Sequence, residues 1–260
     1  MTEISMHAPG FVERDFRVGR VFNRAASVLS RNFVPFMAIA AVAALPNLSQ
    51  TIGVRPLAIA AGYGRLAPWA VSLLVFGLVL LGLIFFSISQ AAILNAAYQD
   101  MSGRPSPIGE SVRKGLRRFM PVIGVALLQA FGTGLAFLLL FFPGLIVMSM
   151  WFVALPACVV ERLRPVASLK RSSALTSGHR WKIFGIIVLL ILVNSLGGAL
   201  IGAVLGMFRL VNLPLILGVT FWIWAALIGA FQATVAVVAY YELRAAKEGI
   251  DIEQIVSVFD

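Results

Sequence analysis

One cysteine, two histidines and eleven carboxylates are all that this 260-residue chain has of the groups that usually carry chemistry. The lone thiol, Cys158, can close no internal disulfide and no paired-cysteine metal site, which excludes disulfide-stapled and zinc-ribbon scaffolds. Charge is scarce too, at 12% of residues against roughly 25% in soluble domains, while the apolar share is 60% against about 45–50%. A chain so balanced has more apolar side chain than it can enclose, and it needs lipid. The 23 glycines lack a triplet period, which excludes a collagen-like fibre, and the low polarity excludes a disordered chain. There is no G-x-x-x-x-G-K-[ST] phosphate loop and no H-E-x-x-H pair.

What is present is long apolar runs. A span needs roughly 20 apolar residues to cover about 30 Å of hydrocarbon. Runs of that kind are expected from Phe33 to Ile52, Trp69 to Ala92, Met120 to Leu140, Leu145 to Val160, Ile183 to Met207 and Leu215 to Tyr240. The fourth is short and carries Pro156 near its end, where a freed carbonyl needs another partner. None of the six contains Asp, Glu, Lys, Arg or His. An ionisable group at mid-membrane is the usual mark of a proton or ion path, so pumping and proton-coupled transport are not expected.

Of the 21 lysines and arginines, 18 fall before span 1, between spans 2 and 3, between spans 4 and 5, or after span 6. The opposite margin keeps Arg55, Arg65 and Arg209, and all eleven carboxylates join the eighteen cations. The positive-inside rule therefore puts both termini in the cytoplasm. No apolar run precedes Phe33, so no cleavable signal peptide is expected, and the termini match no lipidation motif.

The expected fold is all-α: a polytopic membrane protein of six transmembrane helices in three hairpins, each preceded by a basic amphipathic interfacial helix. Val18-Gly19 aligns with Ile108-Gly109, and Phe33-Val34-Pro35 with Phe119-Met120-Pro121. That register suggests tandem units at 15–98, 106–160 and 165–241 inside a membrane domain spanning 15–241, with cytoplasmic tails at 1–14 and 242–260. Pro143-Gly144 is expected to close the second hairpin. In the first interfacial segment Arg17, Arg20, Arg24 and Arg31 follow helical steps beside an arc of Val18, Val21, Phe22, Ala25, Val28 and Leu29, a pattern that lies in the headgroup plane. In the third, Leu169 and Leu175 fall on different sides and amphipathicity is weak.

Three sets of candidate site residues follow. Arg17, Arg20, Arg24, Arg113, Lys114, Arg117, Arg118, Lys170, Arg171, Arg180 and Lys182 line the inner margin, where each cation near an anionic leaflet contributes on the order of 1 kcal/mol. They are candidate headgroup ligands, or simply topology signals. Gln90, Gln129, Asn194 and Gln232 are amides within spans, which either pair helix to helix or converge on a polar cavity. Gly198, Gly202 and Gly206, and likewise Ala126, Ala130 and Gly134, form small-xxx-small faces on which another helix can pack closely.

The stretches Ser168-Leu169-Lys170-Arg171-Ser172, Leu175 to Gly185 and Tyr240 to Ile252 resemble the membrane domain associated with bacterial glycerophosphoryl diester phosphodiesterases. In those relatives the domain is joined to a soluble catalytic barrel using a His-Arg pair and acidic metal ligands. No such barrel is expected here, and His179-Arg180 is followed by Trp181 and a span instead. The resemblance implies a lipid-associated setting without hydrolysis. The reading that follows is a non-catalytic protein of the bacterial cytoplasmic membrane that interacts with anionic phospholipid as an accessory or scaffold factor in lipid homeostasis. No cofactor, metal or nucleic acid is expected, and a protein partner or homo-oligomer stays open. The alternative is a transporter or permease for a lipid-derived or small neutral solute. An enzyme would require Asp100, Glu161 or His179 to pair in one inner cleft.

Overall fold

The computed structural model describes residues 16–49, 68–103, 108–210 and 213–248. Among them the regular structure is all α-helical, in the order α1 (Val18–Arg31), α2 (Phe33–Ala43), α3 (Leu45–Ser49), α4 (Pro68–Met101), α5 (Ile108–Leu139), α6 (Phe141–Met150), α7 (Ala154–Val160), α8 (Pro165–Thr176), α9 (Arg180–Met207) and α10 (Pro214–Glu248). Five stretches are long and apolar enough to cross a membrane, namely Phe76–Met101, Gly115–Leu139, Phe141–Val160, Arg180–Met207 and Leu215–Glu248; a sixth is counted when α1 and α2, which meet at 91°, are taken as one. Phe131, Leu138, Phe142 and Leu196 face outward, as lipid-facing side chains do. The chain is an all-α polytopic membrane protein.

The first span departs from its expected form. Asn32 ends α1 by donating both its backbone N–H and its side-chain amide to the Val28 carbonyl, at 3.2 and 3.1 Å. The chain then turns into α2, whose Pro35 sits in the first turn where a missing N–H costs nothing. The α2 helix ends at Ala43, and residues 50–52 of the expected run lie outside the described residues. The Trp222 indole donates to the Ala41 carbonyl at 2.9 Å, so α10 satisfies a carbonyl of the last α2 turn. The apolar arc of α1 does not face lipid either. Val21, Ala25 and Val28 are fully buried, chiefly against α10, and the Phe22 and Phe231 rings meet at 6.0 Å.

The second basic segment is not a separate interfacial helix. It runs straight on into the span as α5, with Pro121 inside the helix. Gly115 lets this basic part of α5 approach the Ile88 carbonyl and Ala92 of α4 too closely for any Cβ, which packs it against the bundle. The hairpin that follows turns at Leu140, which is extended, rather than at Pro143-Gly144. Pro143 and Gly144 lie within α6, where Gly144 is buried under the Phe137 ring. The fourth span therefore starts at Phe141, four residues before Leu145.

That span is broken between Met150 and Ala154. Pro156 removes one helical donor and crowds the carbonyl four residues back, so the turn tightens. Ala154 N–H bonds the Trp151 carbonyl at 3.0 Å, which orphans the Met150 carbonyl. Ser172 and Thr176 of α8 supply hydroxyl donors to it at 2.8 and 3.2 Å, and Gln129 Nε2 of α5 adds a second bond to Trp151 O at 2.6 Å. One face of helix α8 is accordingly buried, with Ser168, Leu169, Ser172, Leu175 and Thr176 on a single arc. Leu169 and Leu175 share that arc because the small hydroxyl residues between them are part of it.

Candidate functional site

Four of the five described carboxylates, Asp100, Glu161, Glu242 and Glu248, sit in ion pairs at one end of the bundle, and the fifth, Glu110 in the first turn of α5, also interacts within the chain. Arg31 Nη2 meets Asp100 Oδ2 at 2.7 Å, tying the end of α1 to the end of α4. Glu242 accepts from Arg24 at 3.1 Å and faces Arg20 at 3.5 Å, and the Arg24 guanidinium lies 4.5 Å over the Tyr241 ring. Arg171 Nε donates to both Glu161 oxygens at 2.8 and 3.0 Å, and its Nη2 donates to Glu248. Glu161 also accepts from the buried Tyr240 hydroxyl at 2.6 Å, and Arg244 closes the network on Glu248 at 2.7 Å. Burial drives the Arg171 guanidinium down, but its hydrogen bonds to Glu161 and Glu248 outweigh that and hold it above its ordinary value. Such a paired network joins α7, α8 and α10, and it has no spare charge for a ligand.

A second group of cations at the same end is arranged differently. Arg113, Arg117 and Arg118 of α5 and Arg162 of the α7–α8 turn line a cavity of about 520 Å³ with Asn95, Tyr98 and Gln99 of α4. Among the described residues no carboxylate lines it, and none of the four guanidinium groups has a carboxylate partner. Arg162 is held at φ 56°. For a residue with a Cβ that left-handed conformation costs on the order of 1 kcal/mol, and strain of this kind gathers at functional sites. Leu116 and Met120, exposed at 55% and 66%, carry an apolar surface along α5 from this charged end into the span. Such an arrangement has the chemistry to take a phosphate: planar guanidinium forks can pair bidentately with its oxygens, and cations without ion-pair partners raise the local concentration of anions.

A third set lies at membrane depth. Gln90 of α4, Asn194 of α9 and Gln232 of α10 line one cavity of about 280 Å³ together with Ser89 and the small residues Ala43 and Gly229. Gln129 is not among them, since its amide is spent on the broken span.

The sequence profile of a domain of unknown function, DUF7847, matches residues 108–243, more than half of the chain. The chain belongs to the DUF7847 family. No curated protein and no solved structure matches it. The DUF7847 region starts at α5 and ends within α10, so it contains all four cavity arginines, the helix break with its hydroxyl partners, and the Glu161, Arg171 and Tyr240 contacts. Gln90, Tyr98 and Asp100 lie on α4, before it.

Within this DUF7847 protein the eleven inner-margin cations separate into groups. Arg113, Arg117 and Arg118 share the cavity; Arg20, Arg24 and Arg171 are taken by carboxylates; Arg17 and Lys182 interact within the chain. Lys170 and Arg180 are exposed elsewhere, and the Lys114 side chain lies outside those described. Arg162 is the member that sequence reading passed over, and its signal was the turn before Arg164-Pro165. Asp100, Glu161 and His179 share no cleft: the first two have the partners just given, while His179 packs edge-on against Phe16 at 5.6 Å with Nδ1 unbonded. Within the chain the expected packing stripes are only partly covered, since a Cβ on Gly198 would touch Trp224 Nε1 at 3.9 Å. A Cβ on Gly202, Gly206 or Gly134 would meet nothing within 4 Å, and the close approach of α9 to α10 is instead at Gly197, beneath the Trp224 ring. The ring decides this register, because a bulky indole needs its own glycine.

Proposed function

We propose that the protein is a non-catalytic factor of the bacterial cytoplasmic membrane that holds the phosphate of an anionic phospholipid in the cavity of Arg113, Arg117, Arg118 and Arg162. It serves as an accessory or scaffold in lipid homeostasis, with both termini in the cytoplasm. The observation that carries this reading is four guanidinium groups around one cavity of about 520 Å³ with no carboxylate among the described residues of its lining. That volume falls within the roughly 300–1,000 Å³ of ligand sites, and it lies beside exposed apolar surface suited to acyl chains. The separate partners of Asp100, Glu161 and His179 support a role without acid–base chemistry. The resemblance to the membrane domain of the phosphodiesterases supports the bacterial, lipid-associated setting.

The test is thermal melting of the purified protein in micelles with phosphatidylglycerol or with phosphatidylcholine. The anionic lipid is expected to raise the melting temperature and the zwitterionic lipid to leave it nearly unchanged. At about 1 kcal/mol per arginine, Arg113→Gln with Arg117→Gln removes about 2 kcal/mol, roughly a 30-fold loss of affinity. Equal melting in both lipids, or an undiminished shift in the double variant, rejects the proposal.

A second reading, transport of a lipid-derived or small neutral solute, is favoured by the cavity joining Gln90, Asn194 and Gln232. Because Cys158 is buried, a Gly229→Cys variant reports solvent access cleanly. Modification from both sides of the membrane supports transport, and modification from neither side removes it.

A further inference from the structure

Beyond the arginine cavity, and independently of it, we infer that the cavity of Gln90, Asn194 and Gln232 is a binding site for a neutral lipid: a long-chain molecule with an uncharged hydroxyl- and ester-bearing head, of the diacylglycerol class. Depth is the first argument. Gln90 and Gln232 each lie ten residues before an ion-paired carboxylate, Asp100 and Glu242, or about 15 Å along helices rising about 1.5 Å per residue, which is near the middle of a core of about 30 Å. A ligand at that level comes from the bilayer.

Unspent hydrogen bonding is the second argument. Ser87, Ser149, Thr220 and Thr234 satisfy their hydroxyls on the carbonyl four residues back, and Gln129 finds Trp151 O. Ser89, Gln90, Asn194 and Gln232 do none of this: among the described residues they make no hydrogen bond, although Gln90 is 8% exposed and Ser89 4%. Polar groups in hydrocarbon need partners, and these four open on the same space.

Charge and shape then select the ligand. Among the described residues no ionisable side chain lines the cavity, so an anionic head would lie unpaired there, whereas amides offer both donors and acceptors to hydroxyl and ester oxygens. Ala43 and Ser89 also border an adjoining apolar cleft of about 300 Å³ between α2, α4 and α5, lined by Ile39, Val42, Phe85 and Val112, which accommodates a chain. Asn194 and Gln232 are exposed, so the polar end is open to entry from the side.

Photolabelling tests this with the purified full-length chain in phosphatidylcholine vesicles containing a diazirine-bearing diacylglycerol. Labelling of α4, α9 or α10 is expected, competed by unlabelled diacylglycerol and not by phosphatidylglycerol. Gly229→Leu fills the cavity without disturbing the amides, since its Cβ meets nothing within 4 Å. It should cut labelling at least ~10-fold, the factor that about 1.4 kcal/mol sets, while the phosphatidylglycerol melting shift persists. The triple variant Gln90→Met, Asn194→Leu, Gln232→Met should lose labelling equally and melt no lower than wild type in lipid-free micelles, because these amides hold no helix. Labelling unchanged in either variant, or competition by phosphatidylglycerol, overturns the inference. So does a triple variant that melts lower or fails to fold, since the amides would then be structural.

Discussion

Removing the two hydroxyls that serve the broken fourth span should reveal how that break is tolerated in lipid. The Met150 carbonyl has lost its helical donor to Trp151 and accepts instead from Ser172 at 2.8 Å and Thr176 at 3.2 Å. Either hydroxyl can serve alone. Ser172→Ala and the near-isosteric Thr176→Val should therefore each cost about 0.5 kcal/mol, in line with the modest mean of about 0.6 kcal/mol for polar pairs in membrane bundles. The double variant leaves a buried carbonyl with no donor, a penalty of about 1–3 kcal/mol, so the pair should cost about 2 kcal/mol and exceed the sum of the singles by about 1 kcal/mol. Gln129→Leu should cost only about 0.5–1 kcal/mol, because Trp151 O keeps its bond from Ala154 N–H at 3.0 Å. Reversible unfolding in mixed micelles with increasing dodecyl sulfate, followed by helical circular dichroism, measures all four. Strictly additive singles, or a double variant as stable as wild type, would refute the account of the break.

Three further outcomes follow from the same geometry. Gly197→Ala should destabilise by about 1–3 kcal/mol by driving a methyl into the Trp224 ring, whereas Gly202→Ala and Gly206→Ala should be neutral or stabilising by up to about 1 kcal/mol; the same unfolding assay checks this, and the reverse order would restore the small-residue stripe as the packing face. Glu161→Gln should cost about 2–4 kcal/mol by leaving Arg171 with Glu248 alone and weakening the Tyr240 bond, and the loss should be shared by Arg171→Met; a Glu161→Gln protein with wild-type stability would show the network to be idle. Arg162→Gly should relieve the positive φ, raising stability by about 1 kcal/mol without lipid while reducing the phosphatidylglycerol shift; a larger shift in that variant would exclude Arg162 from the headgroup site.

The limits of sequence reading show at particular residues. In α8, Ser168, Ser172 and Thr176 recur every four residues and look like a solvated face, yet they form the buried arc that repairs a neighbouring helix. Hydropathy scores the hydroxyl and not the carbonyl it will meet. In α1 the apolar arc was legible, but not that it would be covered by α10 instead of lipid. In the cavity, three of the four arginines belonged to the visible basic run on α5, while Arg162 arrives from a turn whose chain direction depends on the packing of α7 and α8.

Apolar run length and the crowding of cations at one margin are properties of the chain in one dimension, set by what lipid will accept, and they were enough to predict an all-helical protein that lives in a bilayer. Which cations stay free is a matter of three dimensions. Arg24 is neutralised by Glu242, 218 positions away, while among the described residues Arg117 forms no ion pair and lines a cavity instead. Charge strength falls with distance in space and not along the chain, so folding alone distinguishes an arginine that ties helices together from one left to hold a phosphate.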